Sequence, residues 1–362
     1  MPDNYQIYFE QMKIGLLTYH HSVNIGAMMQ AYATCRALRE LGHDVVIVDI
    51  RQPEGIHSGI TKMITDVVYL KRDAELRRFK AEYYPPMTRR YFSVEELRRD
   101  PPEVDCLLVG SDQTWNPGIS KEMAMAYFLD FGPADMKRVS YGSSFGIANW
   151  PEDSNLIPDV RNALRRFNSI SVREATGKEI LHNTFGVDGQ IVVDPTMLFN
   201  NYNEITGTIT PRNELVCYKL ERNQDFYDSI GAVKHKAGLP ARLLNNSFPV
   251  NGLRYTYPPG VQEWICRLGG AAIVLTDSFH GVVFSLLYKR NFVAIKSNNG
   301  KDSRIVDLMR EVGLQGRLYD GTGALLNDDS WLKPIDYSEV EPVMSRMRTH
   351  SWDYLKTSLA KR

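Results

Sequence analysis

The sequence predicts an α/β protein made of two doubly wound, Rossmann-like domains that face a cleft. Three observations lead there. Short apolar runs that suit strands buried on both faces alternate with helix-spaced segments along most of the chain, the pattern of mostly parallel sheets covered by helices on both sides. Nearly every apolar run ends in small or polar residues, as expected where strand ends converge on a ligand crevice. The chain has 362 residues, more than a single hydrophobic core usually organises, so two domains are expected.

Bulk composition narrows the class. Hydrophobic residues at 43% and charged residues at 24% are ordinary for a soluble globular protein. The 43 basic and 43 acidic residues balance, which argues against a nucleic-acid partner. Cys35, Cys106, Cys217 and Cys266 are widely spaced in apolar contexts, so buried free thiols and a reducing cytoplasm are expected. No signal segment opens the chain, and no apolar run approaches the roughly 20 residues a membrane helix requires. Residues 1–11 read as a loose arm.

Residues 14–18 form a first strand, followed by a polar turn from His20 to Asn24. In the helix after it Ala27, Ala31, Thr34, Leu38 and Leu41 recur at helical spacing until Gly42 stops it. Residues 45–48 complete a β-α-β unit. Its turn, Asn24-Ile25-Gly26, lets backbone N–H groups approach an anion because Gly26 carries no side chain, although close helix packing explains the glycine equally well. The full GxGxxG pattern is absent, so a dinucleotide site is not expected.

Residues 61–83 read as a polar helix, and Pro85-Pro86 and Pro101-Pro102 punctuate the surface. Strands at 107–109, 139–141, 170–172 and 191–193 follow. They end in Gly110-Ser111-Asp112-Gln113, Gly142-Ser143-Ser144, Arg173-Glu174 and Asp194-Pro195, with helices at 158–167 and 174–183 between them. Residues 12–200 therefore make the first domain. Residues 199–213, poor in apolar runs, read as a linker.

The second domain, 213–335, has strands at 215–219, 242–244, 271–275 and 292–295, with helices at 224–237, 261–268, 279–287 and 303–312. Residues 338–362 form a final helix. From residue 341 it is amphipathic, with Val343, Met347, Tyr354 and Leu355 on one side, and it is expected to pack across the domains.

Chemistry concentrates at Leu275-Thr276-Asp277-Ser278-Phe279-His280-Gly281, where an apolar run meets a polar turn and then a helix. Asp277 or Ser278 can cap that helix. His280 falls in an exposed first turn, where the partial positive charge of the helix N-terminus attracts anions. A histidine that gains its proton as an anionic substrate arrives is a candidate proton donor; a capping histidine packed on the sheet is the structural reading.

Arg173, at a strand end, is either a fork for phosphate or carboxylate or an ion-pair partner of Glu174. Lys296 and Arg304 flank the next strand-to-helix turn, around a loop at residues 298–301. Asp112 and Asp194 can bind sugar hydroxyls or cap the turns that follow them. There is no DxD pair and no zinc-spaced cluster, so metal-free, cofactor-free chemistry is expected.

Six segments resemble, in order, motifs of the polysaccharide pyruvyl transferase family. They are Ser22-Val23-Asn24-Ile25-Gly26-Ala27, Val109-Gly110-Ser111-Asp112-Gln113-Thr114-Trp115, Ser140-Tyr141-Gly142-Ser143-Ser144-Phe145-Gly146, Ile170-Ser171-Val172-Arg173-Glu174, Val193-Asp194-Pro195-Thr196 and Thr276-Asp277-Ser278-Phe279-His280-Gly281. The likeness runs from about residue 13 to residue 314. One departure stands out: many members carry arginine two positions before the histidine, where this chain has Ser278.

The resemblance implies the glycosyltransferase B layout, with the acceptor on the first domain. It implies transfer of a pyruvyl group from phosphoenolpyruvate onto two sugar hydroxyls, forming a ketal in a surface polysaccharide or related glycan. On that chemistry His280 donates a proton or activates phosphate, Asp277 orients the loop, and Arg173 and Arg304 hold anions. Ser278, Gly281 and Lys296 bind substrate beside them, and Asn24, Gly26, Ser111, Asp112, Gln113, Ser143 and Ser144 do so from the first domain.

The expected partners are phosphoenolpyruvate, as donor rather than cofactor, and a glycan acceptor that is lipid-linked or free. The expected location is the cytoplasm, with peripheral contact at the inner membrane face left open, as is the oligomeric state. A nucleotide-sugar glycosyltransferase of the B class is the alternative enzyme, and Ser278 in place of arginine motivates a third reading, a catalytically silent glycan-binding protein.

Overall fold

The apolar runs become strands of parallel sheets in a computed structural model that describes residues 10–51, 60–220, 224–244, 250–255, 258–297 and 302–360. The loop at 298–301 and most of the N-terminal arm lie outside the described residues. Two compact units emerge. One comprises Met1–Gly55, Tyr83–Leu198 and Arg346–Arg362, and the other Ile56–Glu82 and Phe199–Ser345.

In the first unit β1 (Lys13–Leu17) leads into α1 (Ile25–Glu40) and β2 (Asp44–Ile47). Asn24 caps α1 by accepting the N–H groups of Gly26 and Ala27. After α2 (Ile60–Tyr83), which falls mostly in the second unit, come β3 (Cys106–Val109), β4 (Lys137–Ser140), α3 (Ile157–Leu164), β5 (Ser171–Val172), α4 (Ala175–Ile180) and β6 (Gln190–Ile191).

The first sheet runs β2-β1-β3-β4, all parallel. Bridges Val139↔Ser169 and Ser143↔Val172 add the β5-β6 pair beside β4. The chain changes direction across the sheet between β1 and β3. All four residues of β3 are fully buried, which is why this strand reads as an unbroken apolar run. Trp115 stacks on Phe128 in the core beneath.

The second unit contains β7 (Leu215–Tyr218), α5 (Gln224–Ala237), β8 (Ala241–Leu244), β9 (Arg254–Tyr255), α6 (Val261–Gly270), β10 (Ile273–Thr276), α7 (Phe279–Leu287), β11 (Asn291–Ile295), α8 (Ser303–Glu311) and β12 (Leu318–Tyr319). Its parallel strands run β12-β11-β10-β7-β8-β9. The order reverses between β10 and β7, so the ends of these two central strands form the topological switch point where doubly wound sheets bind ligands. Thr276 pairs with Tyr218 at the last register position.

Three expectations change. The segment read as a linker is part of the second unit: Tyr202 is fully buried and stacks on Phe284 at 5.6 Å. Strands β9 and β12, two residues each, are too short to leave a periodic signal. The final helix, α9 (Tyr337–Leu359), begins within a residue of its expected start but buries Val340 and Met344 along with Tyr354 and Leu355, whereas Val343 and Met347, expected on its apolar side, are half-buried. Its turns through Ser345 count with the second unit and those from Arg346 with the first, where Tyr354 Oη donates to Ser140 O at 2.8 Å.

All four cysteines are free, three buried and Cys266 half-buried. No helix among the described residues is long and apolar enough to cross a membrane.

Candidate functional site

At the switch point of the second unit the turn after β10 is built from its own side chains. Thr276 Oγ1 accepts the Ser278 N–H at 3.0 Å, and Ser278 Oγ accepts the Gly281 N–H at 3.4 Å, so Ser278 is the cap of α7. Asp277 does something else. Its Oδ1 accepts the Leu220 N–H at 2.7 Å, which ties the turn after β10 to the turn after β7. Gly281 meets a packing requirement, since a Cβ there would collide with Thr276 Oγ1.

His280 occupies the second position of α7, with its ring edge-on to Phe279 at 5.3 Å. It is 7% exposed rather than an exposed first-turn residue, because β10 and α7 are both covered. The sequence placed His280 in the right turn but misjudged its burial, which depends on what packs over it.

The cations separate by distance and partner. Arg304 Cζ lies 5.6 Å from the Phe279 ring centroid, so the structure brings it to the histidine turn. Lys296 Nζ is 2.6 Å from Asp320 Oδ1 and is partly exposed, so its charge is matched by a surface carboxylate. Lys219, which in the sequence is only the end of a strand, follows β7 directly and is 3% exposed. Its Nζ sits 5.0 Å from the ring centroid of Tyr227, in the first turn of α5. A polar residue closing an apolar strand was the only sign of it in the sequence.

In the first unit, motif residues far apart in sequence join one polar network at the strand ends. Arg173 Nη1 donates to Asp194 Oδ2 at 2.5 Å, while Nη2 lies 3.6 Å from Asp112 Oδ1 and Nε 3.9 Å from Glu174 Oε2. Burial disfavours its charge, but the Asp194, Asp112 and Glu174 carboxylates outweigh this and raise the pKa of the guanidinium. Ser111 Oγ donates to Asp194 Oδ2, Ser144 Oγ to Glu174 Oε1, and Ser143 Oγ to the Gly110 carbonyl. Asp194 is further held by Thr196.

Both readings of Arg173 from the sequence concerned its charge. The geometry gives that charge to protein carboxylates, chiefly Asp194 rather than the neighbouring Glu174. Asp194 likewise has its oxygens taken by Arg173, Ser111 and Thr196. Asp112 differs. It keeps a left-handed backbone with φ of 76°, its side chain is 17% exposed, and its carbonyl accepts the N–H groups of Thr114 and Ser144. Strain of this kind collects at functional turns. Gln113 packs against Gly146 and accepts a hydrogen bond from Asn116. Asn24 Oδ1 takes up the Gly26 N–H that the sequence offered to an anion.

A histidine–carboxylate pair escaped sequence reading altogether. His20, at the end of β1 beside the first unit's own switch point, is fully buried, with Nε2 3.0 Å from Asp49 Oδ1 and Nδ1 3.1 Å from the Thr18 carbonyl. Arg51 and Arg90 also reach Asp49. Burial raises the pKa of its carboxyl, but His20 and Arg51 hold it well below the usual carboxylate range. The partners are 29 residues apart, and no local pattern links them.

Two Rossmann-like units with parallel sheets and a built turn at the switch point define the glycosyltransferase B class of fold. Solved structures agree. The chain aligns over 97% of its length with the whole of Arabidopsis thaliana UGT89C1, at 10% identity and a TM-score of 0.54, and with the same protein complexed with UDP, at 13% and 0.52. It aligns over 97% of its length with the whole of the UDP-GlcNAc 2-epimerase from Neisseria meningitidis, at 9% identity and a TM-score of 0.50. Identities this low speak for the fold alone. No curated protein matches the chain in sequence. The family model for polysaccharide pyruvyl transferase matches residues 24–299, and the chain belongs to that family.

Proposed function

We propose that the protein transfers the pyruvyl group of phosphoenolpyruvate onto two hydroxyls of a glycan, forming a cyclic ketal and releasing inorganic phosphate. The observation that carries this reading is His280, held in the first turn of α7 at the switch point of the second unit in a chain of this family.

The chemistry sets the requirements. A proton must reach the methylene carbon of the enol as the first hydroxyl oxygen attacks C2. The C–O bond to phosphate then breaks, and the second hydroxyl closes the ketal. Of the two hydroxyl protons released, one balances the proton gained by the methyl group and the other leaves with phosphate. His280 is the proton donor in this scheme, with Arg304 nearby as an anion holder. Asp277 fixes the turn through Leu220. The polar network around Asp112, Ser143 and Ser144 serves the acceptor side.

The test is incubation with phosphoenolpyruvate and hydroxyl-bearing glycan acceptors, following phosphate release and a product mass gain of one pyruvate less one water. Consumption of a nucleotide sugar without use of phosphoenolpyruvate would replace this reading with the glycosyltransferase alternative, and inertness toward both would favour a glycan-binding role.

A further inference from the structure

We infer that Lys219 holds the phosphate of the donor, supplying the cation that Ser278 leaves missing from the histidine motif; this rests on the reading of phosphoenolpyruvate as donor. Lys219 follows β7 immediately, and because Tyr218 pairs with Thr276, it stands across the ladder from Asp277 where the strand order reverses. That is the crevice where a doubly wound sheet meets its ligand.

Its burial is the second argument. Lysine is rarely buried, because its ammonium group loses hydration there, and in such surroundings the attraction between a cation and an arriving anion is stronger than at the surface. Lys219 is 3% exposed. Among the described residues of the second unit the other buried lysine or arginine is Arg317, but that guanidinium lies ahead of β12, away from the strand ends, and donates to the carbonyls of Trp331 and Lys333. Lys219 is the buried cation at the ligand-facing end.

Its position is also fixed. The Tyr227 ring under Nζ holds the head group at the start of α5, a cation–π contact that orients the charge. The next residue, Leu220, is tied by its N–H to Asp277, so the backbone of Lys219 is held to the turn that leads into His280. Nζ, a compact charge with three donors, suits a tetrahedral phosphate, whereas the forked guanidinium of the usual motif suits two oxygens at once.

Calorimetry with phosphoenolpyruvate and with inorganic phosphate on the wild type, Lys219→Met, Lys219→Gln and His280→Gln tests this. Lys219→Met removes a buried charge while keeping a long unbranched side chain and is expected to fold, which thermal melts check; Lys219→Gln gives a polar second variant. Both are expected to weaken the two ligands by roughly ten- to a hundredfold, the range for hydrogen bonds to a charged group. They should raise KM for phosphoenolpyruvate far more than they lower kcat, while His280→Gln changes affinity little. Unchanged phosphate affinity in both folded Lys219 variants overturns the assignment. If the wild type itself binds no phosphoenolpyruvate, the donor reading fails and the assignment with it.

Discussion

The carboxylate of Asp277 accepts the backbone N–H of Leu220 at 2.7 Å, joining the turns that follow the two central strands of the second unit. One side chain thereby sets the spacing between the segment carrying Lys219 and the segment carrying His280. Asp277→Ala is expected to cost about 1 kcal/mol in stability, the usual net value of such a bond, and to raise KM for phosphoenolpyruvate several-fold. Asp277→Asn keeps an acceptor oxygen and should retain most of both. Equal defects in the two variants, in urea unfolding and steady-state kinetics, would mean that the negative charge matters rather than the tie.

For His280 the expectation is loss of chemistry with binding retained. His280→Gln keeps a polar side chain that can hydrogen-bond but cannot donate a proton, so single-turnover phosphate release should fall by roughly 10² to 10⁴. Its buried position predicts that His280→Ala also loses some stability, so the glutamine variant is the cleaner probe. Near-normal release by His280→Gln would remove the histidine from the proton-donor role.

Arg173 is expected to act through the fold. Arg173→Met leaves the Asp194, Asp112 and Glu174 carboxylates without their cation and should destabilise the protein by about 3 to 5 kcal/mol. Adding Asp194→Asn should recover part of the loss. Chemical denaturation of the single and double variants measures this. A fully stable Arg173→Met with lost donor affinity would instead restore the anion-holding role.

Asp49 predicts a pH dependence. Its folded-state pKa lies below the ordinary 3.8, because His20 and Arg51 favour the carboxylate by more than burial opposes it. A depressed carboxylate contributes stability that is present above its unfolded pKa and is lost as pH falls through the folded value. Wild type should therefore be more stable than Asp49→Asn at neutral pH, and the gap should narrow as pH drops below about 4. A gap that stays constant in acid would assign the difference to packing.

Much of the fold was legible. The strands at β3, β7 and β10 announced themselves because central parallel strands must be apolar on both faces, and the start of α7 because Asp277 and Ser278 both offer the side-chain acceptor a helix start needs. The packing of Tyr202 within the second unit was not legible, since a segment without periodicity gives no local sign of what it covers. Nor was the use of Asp277. Asp277 and Ser278 were equivalent caps on paper, and only the neighbouring turn after β7 shows that one caps the helix while the other crosses to Leu220.

By itself the sequence determined the alternation of strands and helices, the polar character of the strand ends, the family motifs and the turn that holds His280. These are encoded within windows of a dozen residues or fewer, where periodicity and turn chemistry act. The tertiary structure decided which strand ends stand side by side. Long-range pairing puts Leu220 against Asp277, 57 residues away, and Arg173 against Asp194, 21 residues away. Burial then separates the charges: the Arg173 guanidinium is enclosed among three carboxylates of its own unit, while Lys219 is enclosed at the strand end beside the histidine turn. Strand order and burial arise from the whole sheet folding together, and no local stretch contains them.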